Sequence, residues 1–252
     1  MKIIAVSDIH TDIFDKKIID DRIEKICKSH ADILIVGGDI AQNPEDIKKG
    51  LQKFANFSGK KLAYLGNHEV KGVMKNIEET IATLTPLYTL NNFHLLDDTF
   101  YIHDRIGFVG SVGWFDFSLY KGKNNTDAKE KGLMSFYDHS KLTDTTPQEM
   151  TQNCINRIDE QLKKIEPVCD KIILGIHHIA FSEFLKYNAS DRLDYLNLFM
   201  GSELFQKLYL HPKVALGFCG HTHRSGMIEY DSKKIYNISS DKKMPYHLIE
   251  ID

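Results

Sequence analysis

At 252 residues the chain is long enough to bury one large core, and an α/β domain of this size needs no second domain. The hydrophobic content of 42% and charged content of 27% are typical of a globular protein, and the net charge of −3 provides no basic face for nucleic acid. Four widely spaced cysteines without a CxxC pair favour free thiols. The sequence has no signal-peptide pattern and no apolar stretch of membrane-spanning length, so we expect one cytoplasmic domain over residues 1–252.

The first half of the sequence alternates apolar runs with helical patterns. Strands are predicted over residues 2–7, 31–36 and 61–65, and helices over about 16–29 and about 44–57. Strands that alternate with helices form a parallel sheet with right-handed crossovers. Functional groups in such sheets gather at the carboxyl ends of the strands, where we expect loops to begin.

The pattern changes after a predicted helix over roughly residues 74–84. Three short apolar runs separated by tight turns suggest antiparallel pairing, at residues 93–96, 99–102 and 106–109. Residues 118–146 are polar and lack a pattern. A loop this long inside a compact domain is usually functional, so we expect a lid or specificity loop there.

Helices and strands alternate again towards the C-terminus. Helices are predicted over residues 147–164 and near 193–210, and strands over 171–176 and 214–219. The last apolar runs are expected to form a terminal antiparallel set, at residues 227–230, 234–238 and 247–251.

Five of the apolar runs end in the same kinds of polar residue. They lead into Asp8-Ile9-His10, Gly38-Asp39, Gly66-Asn67-His68-Glu69, His177-His178 and Gly220-His221-Thr222-His223. Residues two apart in an extended segment point the same way, so each Asp-x-His or His-x-His pair can converge on one place. Carboxylates, amide oxygens and imidazoles bind borderline divalent metals, and the lack of a thiolate cluster argues against a structural zinc site. Seven such donors are too many for one ion but suit two ions that share a carboxylate.

Each motif taken alone has an ordinary structural explanation. Asp8 could cap the following helix, and the glycines before Asp39 could form a simple strand-to-helix turn. A single buried histidine at position 177 or 178 is more often a hydrogen-bonded core residue than a metal ligand. The recurrence of such residues at five strand ends is what favours a metal site.

In this order the five motifs resemble the calcineurin-like metallophosphoesterase superfamily, and the resemblance spans residues 3–223. It implies an α/β fold of two mixed β-sheets packed as a sandwich and flanked by helices. It also implies two metal ions that share Asp39 as a bridging ligand. One ion would be held by Asp8, His10, Asp39 and His223, and the other by Asp39, Asn67, His177 and His221.

The resemblance implies a dinuclear hydrolase of phosphomonoesters or phosphodiesters. A metal-bridging hydroxide would attack phosphorus in line, and His68 would assist the leaving group rather than bind metal. Two divalent ions against two aspartates leave a surplus of about two positive charges, which suits an anionic phosphoryl group. The identity of the ions is open among Mn, Fe, Zn, Co and Ni.

Three further residues are candidates for substrate contacts. Arg224 could bind a phosphate oxygen, although a solvated arginine is the commoner case, and Trp114 could form part of the core or of the cleft wall. The ligand is assigned to His177 because family members place it first, which leaves His178 a surrounding or substrate-binding role. The residue that orients His68 is not identified by the sequence.

The sequence departs from two branches of the superfamily. Ile40 and Ala41 stand where the protein Ser/Thr phosphatases carry Asp-Arg-Gly, and Ile179-Ala180 replaces the prolines of the cyclic-nucleotide phosphodiesterase-like branch. The sequence is more similar to small, stand-alone bacterial-type phosphoesterases, so we expect a small phosphorylated substrate. Two alternatives are a protein-interaction scaffold, which usually loses metal ligands, and a nuclease, which should carry a basic groove.

Overall fold

The computed structural model describes residues 1–73, 75–120, 145–186, 195–241 and 244–251, which form two mixed β-sheets flanked by helices. The five-stranded sheet has the spatial order β11 (His247–Glu250), β1 (Lys2–Val6), β2 (Ile33–Gly37), β3 (Lys60–Tyr64) and β4 (Phe93–Leu95). The six-stranded sheet has the order β5 (Tyr101–His103), β6 (Ile106–Ser111), β7 (Lys171–Ile176), β8 (Val214–Cys219), β10 (Lys233–Asn237) and β9 (Gly226–Tyr230).

The described helices include α1 (Lys16–Cys27), α2 (Pro44–Gln52), α3 (Asn67–Val73), α4 (Ile77–Leu90), α5 (Pro147–Ile165) and α6 (Gln206–Tyr209). Four of them (α1, α2, α4 and α5) begin behind a residue whose side chain accepts a free backbone N–H. The Asp15 side chain accepts two N–H bonds at the start of α1, and Thr146 forms a reciprocal capping box with Glu149 at the start of α5. Within the described ranges no helix is both long and apolar enough to cross a bilayer.

The two sheets pack face to face over an apolar interior. Alternate strand residues point to opposite faces, so one set meets the other sheet while the second set meets the helices. The interior between the sheets includes Ile3, Ala5, Ile33, Ile35, Leu62 and Tyr64 from one sheet and Phe108, Ile173, Leu216 and Phe218 from the other. The predicted sandwich is therefore confirmed.

Strands β1, β2 and β3 are parallel, as predicted, and the parallel arrangement extends to strands beyond them. Strands β1 to β4 are parallel neighbours, as are β6, β7, β8 and β10. Their carboxyl ends consequently lie at the same edge of each sheet. The short strands β5 and β9 form the hairpins β5–β6 and β9–β10, whose turn residues have positive φ angles at Asp104, Arg105, Asp231 and Ser232, as tight hairpin turns require.

Two predicted antiparallel pairings are wrong. Strand β4 pairs in parallel with β3, because α3 and α4 cross between them and return the chain in the same direction. Strand β10 is parallel to β8, and β11 leaves that sheet to pair antiparallel with β1. A short apolar run indicates a strand but does not specify its partner, which tertiary packing selects.

Several element boundaries also differ from the prediction. The loop expected after β3 is a helical turn, since Asn67 begins α3, and the helix expected over residues 74–84 runs from Ile77 to Leu90 behind the N-cap Asn76. The helix from Pro44 ends at Gln52 rather than near residue 57. In the stretch predicted as helical near 193–210, the described part contains the 3-10 turns Asn197–Phe199 and Glu203–Phe205 before α6. Most of the expected lid, residues 121–144, lies outside the described residues.

Candidate metal centre

The polar strand ends of both sheets meet at one edge of the sandwich. Asp8 and His10 follow β1, Asp39 follows β2, and Asn67 and His68 follow β3. His177 follows β7 of the other sheet, and His221 and His223 follow β8. The backbone N–H of His221 donates to Asp8 Oδ1 at 3.1 Å, which joins the strand ends of the two sheets directly.

The donor atoms form two groups that share Asp39. Within each group the candidate ligand atoms lie within 4.8 Å of one another, and the groups are Asp8, His10, Asp39 and His223, and Asp39, His177 and His221. Asn67 joins the second group, because its Oδ1 is 3.1 Å from His177 Nε2. The structure thus brings together all seven residues that the sequence predicts as ligands, in the predicted two sets.

The donor set fits divalent metal ions. Asp39 Oδ2 is buried and has no hydrogen-bond partner among the described residues. Three imidazole Nε2 atoms surround it instead, from His177 at 3.4 Å, His10 at 3.7 Å and His68 at 4.0 Å. These separations are too long for good hydrogen bonds, and nitrogen and oxygen donors converging without a thiolate suit Mn, Fe, Zn, Co or Ni.

Backbone carbonyls orient two of the histidines. His177 Nδ1 lies 2.8 Å from the Gly37 carbonyl oxygen, and His221 Nε2 lies 3.2 Å from that of Phe199. An N–H that donates to each carbonyl leaves the other ring nitrogen as a lone-pair donor facing the centre. Such outer hydrogen bonds fix the tautomer and ring direction of metal-binding histidines.

Several candidate ligands have a strained backbone. Five of them are non-glycine residues with positive φ angles, namely Asp8 (56°), His10 (45°), Asp39 (54°), His221 (69°) and His223 (53°). Residues other than glycine rarely adopt this left-handed conformation, which persists only where surrounding interactions enforce it. Such strain is typical of functional sites.

Glu69 holds two of the ligand-bearing loops in place. It is fully buried, and its carboxylate accepts backbone N–H bonds from Asp39 at 3.0 Å, Ile40 at 2.8 Å and Gly66 at 2.9 Å. Gly66 is required here, because a Cβ atom would lie 2.1 Å from Asp39 Oδ1. Burial and the nearby Asp39 charge raise the pKa of Glu69 to about 7. Glu69 belongs to the motif Gly66-Asn67-His68-Glu69, but its role is not evident from the sequence.

Asp97 joins the two sheets beneath the centre. This fully buried carboxylate follows β4 and accepts N–H bonds from Leu65 at 2.7 Å and Val112 at 2.6 Å, just after β3 and β6. Burial raises its pKa to about 6, although both N–H groups oppose that shift. No local pattern in the sequence distinguishes Asp97 from an ordinary turn residue.

The charges at the centre favour bound cations. Burial opposes ionisation of Asp8 and Asp39, but neighbouring imidazoles outweigh it and lower the pKa of both carboxyls. Burial likewise opposes a charge on His177, yet Asp39 and Asp8 raise its pKa to about 10. Burial and the adjacent His177 lower the pKa of His221 to about 3, so its ring is neutral. Two ionised carboxylates therefore face the site at neutral pH.

His68 lies at the open side of the metal centre. Its backbone N–H donates to Asp39 Oδ1 at 2.9 Å, and its ring centroid is 4.5 Å from that of His10. About a quarter of its side chain is exposed, 26%. This placement gives a substrate access to the imidazole while the backbone stays fixed to the bridging carboxylate.

The three candidate substrate residues lie in different surroundings. Arg224 lines the cavity beside the metal centre, and burial lowers the pKa of its guanidinium. His178 and Trp114 are fully buried; the His178 ring packs 4.4 Å from that of His221, and Trp114 packs 5.1 Å from His178. His178 therefore packs against the candidate ligand His221, and Trp114 packs against His178. A substrate contact at either residue stays a prediction.

A cavity of about 310 Å³ opens directly onto the centre. Its polar side is formed by Asp39, Asn67, His68, His221, Thr222, His223 and Arg224. The other lining residues are Phe184, Leu185, Leu196, Asn197 and Met200, four of which are apolar. This volume lies at the lower end of the range for small-molecule sites.

Comparison with known proteins agrees with this geometry. Residues 1–225 match the sequence profile of a family described as calcineurin-like phosphoesterase. No curated protein sequence is significantly similar to the chain.

Solved structures share the fold at low sequence identity. A phosphopantetheinyl hydrolase from Mycobacterium tuberculosis has a TM-score of 0.75 and 17% identity, with 100% of this chain and 96% of that chain covered. A dimetal phosphatase from Danio rerio has a TM-score of 0.52 and 13% identity, covering 94% and 86%. A Plasmodium protein described as the anchor in the inner membrane complex has a TM-score of 0.55 and 12% identity, covering 95% and 71%. Identities this low indicate a common fold only.

Proposed function

Because the chain belongs to the calcineurin-like phosphoesterase family, we propose that it is a dinuclear metal-dependent hydrolase of phosphomonoesters or phosphodiesters. The observation that carries this proposal is the convergence of two donor groups on Asp39, with His68 beside them in the same cavity. When bound, two divalent ions would neutralise the phosphoryl group and lower the pKa of a water nucleophile.

The side chains of the first group and the second group have distinct tasks. Asp8, His10, Asp39 and His223 would hold one ion, and Asp39, Asn67, His177 and His221 the other. Only the aspartates among these ligands are anionic, so the centre keeps a positive surplus for an anionic substrate. Manganese, iron, zinc, cobalt and nickel all accept these ligands.

His68 is the proposed proton donor to the departing alcohol. Its ring lines the cavity, and the N–H bond to Asp39 Oδ1 fixes its backbone relative to both metal groups. General acid assistance of this kind accelerates reactions by about 10²–10⁴-fold. Arg224, on the same side of the cavity, is placed to donate to a non-reacting phosphoryl oxygen.

We propose a small phosphorylated molecule as the partner, since the cavity is about 310 Å³. The four cysteines are all unpaired, which supports a reducing, cytoplasmic location.

A scaffold function on the same fold is the alternative, and the Plasmodium anchor protein has this fold. The complete ligand set and His68 favour the enzyme, because a scaffold has no need to preserve them.

The test is hydrolysis of p-nitrophenyl phosphate and bis-p-nitrophenyl phosphate by the metal-reconstituted protein. We expect turnover of at least one of them, and a fall of about 10²–10⁴-fold in kcat for His68→Ala with its metal content unchanged. His103→Ala is the matched control, because this half-exposed histidine lies in β5, away from the centre. Undiminished turnover in His68→Ala would contradict the assigned role, and no turnover of any phosphate ester would favour the scaffold.

A further inference from the structure

The cavity beside the metal centre has two chemically different sides. Four of the seven candidate ligands, together with His68 and Arg224, form the polar side. Four apolar side chains form most of the other, and all belong to the segment between β7 and β8: Phe184, Leu185, Leu196 and Met200. We call these four residues the apolar wall.

The apolar wall is held in a fixed position relative to the metal ligands. Ile179, two residues after His177, donates its N–H to the Met200 carbonyl at 3.0 Å and accepts the Ser202 N–H at 3.1 Å. The intervening Gly201 permits this close approach, because a Cβ atom there would lie 1.9 Å from the Ile179 carbonyl oxygen. The Phe199 carbonyl, which directs His221, belongs to the same short segment. A substrate group that contacts Met200 would therefore lie at a fixed position relative to the candidate metal ligands His177 and His221.

The wall is not simply part of the protein core. Leu185, Leu196 and Met200 are only partly buried, and the surface they leave open faces the cavity. Asn197, the polar residue on this side, already donates its side-chain Nδ2 to the Lys186 carbonyl at 2.8 Å. Hydroxyl-rich groups placed here would lose hydrogen bonds to water without full replacement, whereas apolar groups would gain by displacing it.

We propose that the substrate is a phosphate ester of an apolar alcohol, aliphatic or aromatic. The phosphoryl group lies at the metal centre and the alcohol part lies against Leu185, Leu196 and Met200. This inference rests on the proposed function and adds the class of leaving group to it. Sugar phosphates and nucleotides are disfavoured, because their polar hydroxyls and bases would face the apolar wall.

The test uses alkylphosphonates, which bind as phosphate esters do but are not hydrolysed. Ethyl-, butyl- and hexylphosphonate are titrated calorimetrically into the metal-reconstituted protein. Each methylene that the wall buries should tighten binding by about threefold, so butylphosphonate should bind about tenfold more tightly than ethylphosphonate.

Two near-isosteric variants locate the effect. Leu196→Asn and Met200→Gln should each reduce the gain per methylene, with the affinity for ethylphosphonate little changed. Leu90→Asn is the matched control, because Leu90 is 82% exposed at the end of α4, and it should retain the wild-type dependence on chain length. Metal content and circular dichroism of each variant establish that the centre and the fold are intact.

The outcomes separate this inference from the proposed function. Hydrolysis of p-nitrophenyl phosphate with no dependence of phosphonate affinity on chain length would overturn the apolar alcohol alone. An equal dependence of phosphonate affinity on chain length in Leu90→Asn and Leu196→Asn would also overturn the apolar alcohol. Chain-length-dependent binding without hydrolysis of any ester would overturn the proposed reaction and leave the wall as a ligand-binding surface.

Discussion

Within a few residues, β1 and β2 each pass from an apolar interior to a polar edge. In β1, Ile3 and Ala5 are fully buried between the sheets, whereas Asp8 and His10 just beyond its end are buried but polar, with φ angles of 56° and 45°. The interior stabilises the fold through apolar burial with regular backbone. The edge costs stability through strained backbone and buried charge, about 1–3 kcal/mol for each strained residue.

The comparison shows how the costly edge is kept in place. Glu69 and Asp97 accept five backbone N–H bonds from residues at the strand ends, which ties the edge loops of the two sheets to one another. Metal binding would neutralise the remaining charge. The interior therefore supplies the stability of the fold, whereas the polar edge is arranged to bind a ligand at some cost in stability.

The largest expected effect at the edge is the pH dependence imposed by Asp97. Its pKa is about 6 in the folded protein against 3.8 ordinarily, so the folded state holds a proton that the unfolded chain has lost. The contribution of Asp97 to the stability of the metal-free protein should fall by about 3 kcal/mol as pH rises from below 4 through 6. Denaturant unfolding of the wild type and of Asp97→Asn across that range checks this. The difference between their free energies of unfolding should shrink as the pH rises. A constant difference would contradict it.

Proton release on metal binding is the next largest effect. The pKa of His177 is about 10 without metal, so a proton must leave before the ring can bind an ion. Affinity should rise about tenfold per pH unit between pH 6.5 and 8.5, or about 10²-fold in total. Calorimetric titration with Mn²⁺ in buffers of different ionisation enthalpy measures the protons released. The variant His177→Gln should release about one fewer; equal release would show that His177 is not a ligand.

Glu69→Gln should weaken the edge while leaving the interior unchanged. The glutamine amide has one acceptor oxygen for the three N–H groups that the carboxylate now binds. We expect a loss of about 1–3 kcal/mol in the free energy of unfolding and about 10–100-fold in metal affinity. Glu229→Gln on exposed strand β9 is the matched control. A metal affinity of Glu69→Gln equal to that of the wild type would show that Glu69 does not position the candidate ligands.

The smallest effect is expected from the interior. Ile35→Val removes one methylene from a fully buried side chain between the sheets, which costs about 0.5–1.5 kcal/mol of stability. Its kcat and metal affinity should match those of the wild type, because Ile35 lies in the middle of β2, in the interior between the sheets. A selective loss of activity at full stability would show that interior and edge are not separable.

The sequence predicted which candidate ligands come together better than it predicted the residues that hold them in place. Asp8, Asp39 and His221 could be found because they follow apolar runs whose carboxyl ends meet, and because the motifs occur in a known order. Asp97 could not be found, since its role depends on N–H groups 32 and 15 residues away. The partner of β4 was missed for a related reason: local apolar runs do not encode which strand lies beside them.

The apolar wall illustrates the same limit. Its residues lie in a stretch that was partly predicted as helix, but the described part contains short 3-10 turns tied to Ile179 and His221. A helical pattern predicts which residues share a face. It does not predict a turn whose shape comes from distant backbone contacts.

The most direct test of the account is the metal content of the purified protein and of Asp39→Asn, measured by elemental analysis after equilibration with Mn²⁺. Asparagine tolerates the left-handed backbone at this position, so the variant changes the shared ligand without adding strain. We predict about two ions per wild-type chain and clearly fewer in Asp39→Asn, with phosphatase activity lost in parallel. Two ions retained by Asp39→Asn, or none bound by the wild type, would contradict the shared dinuclear centre.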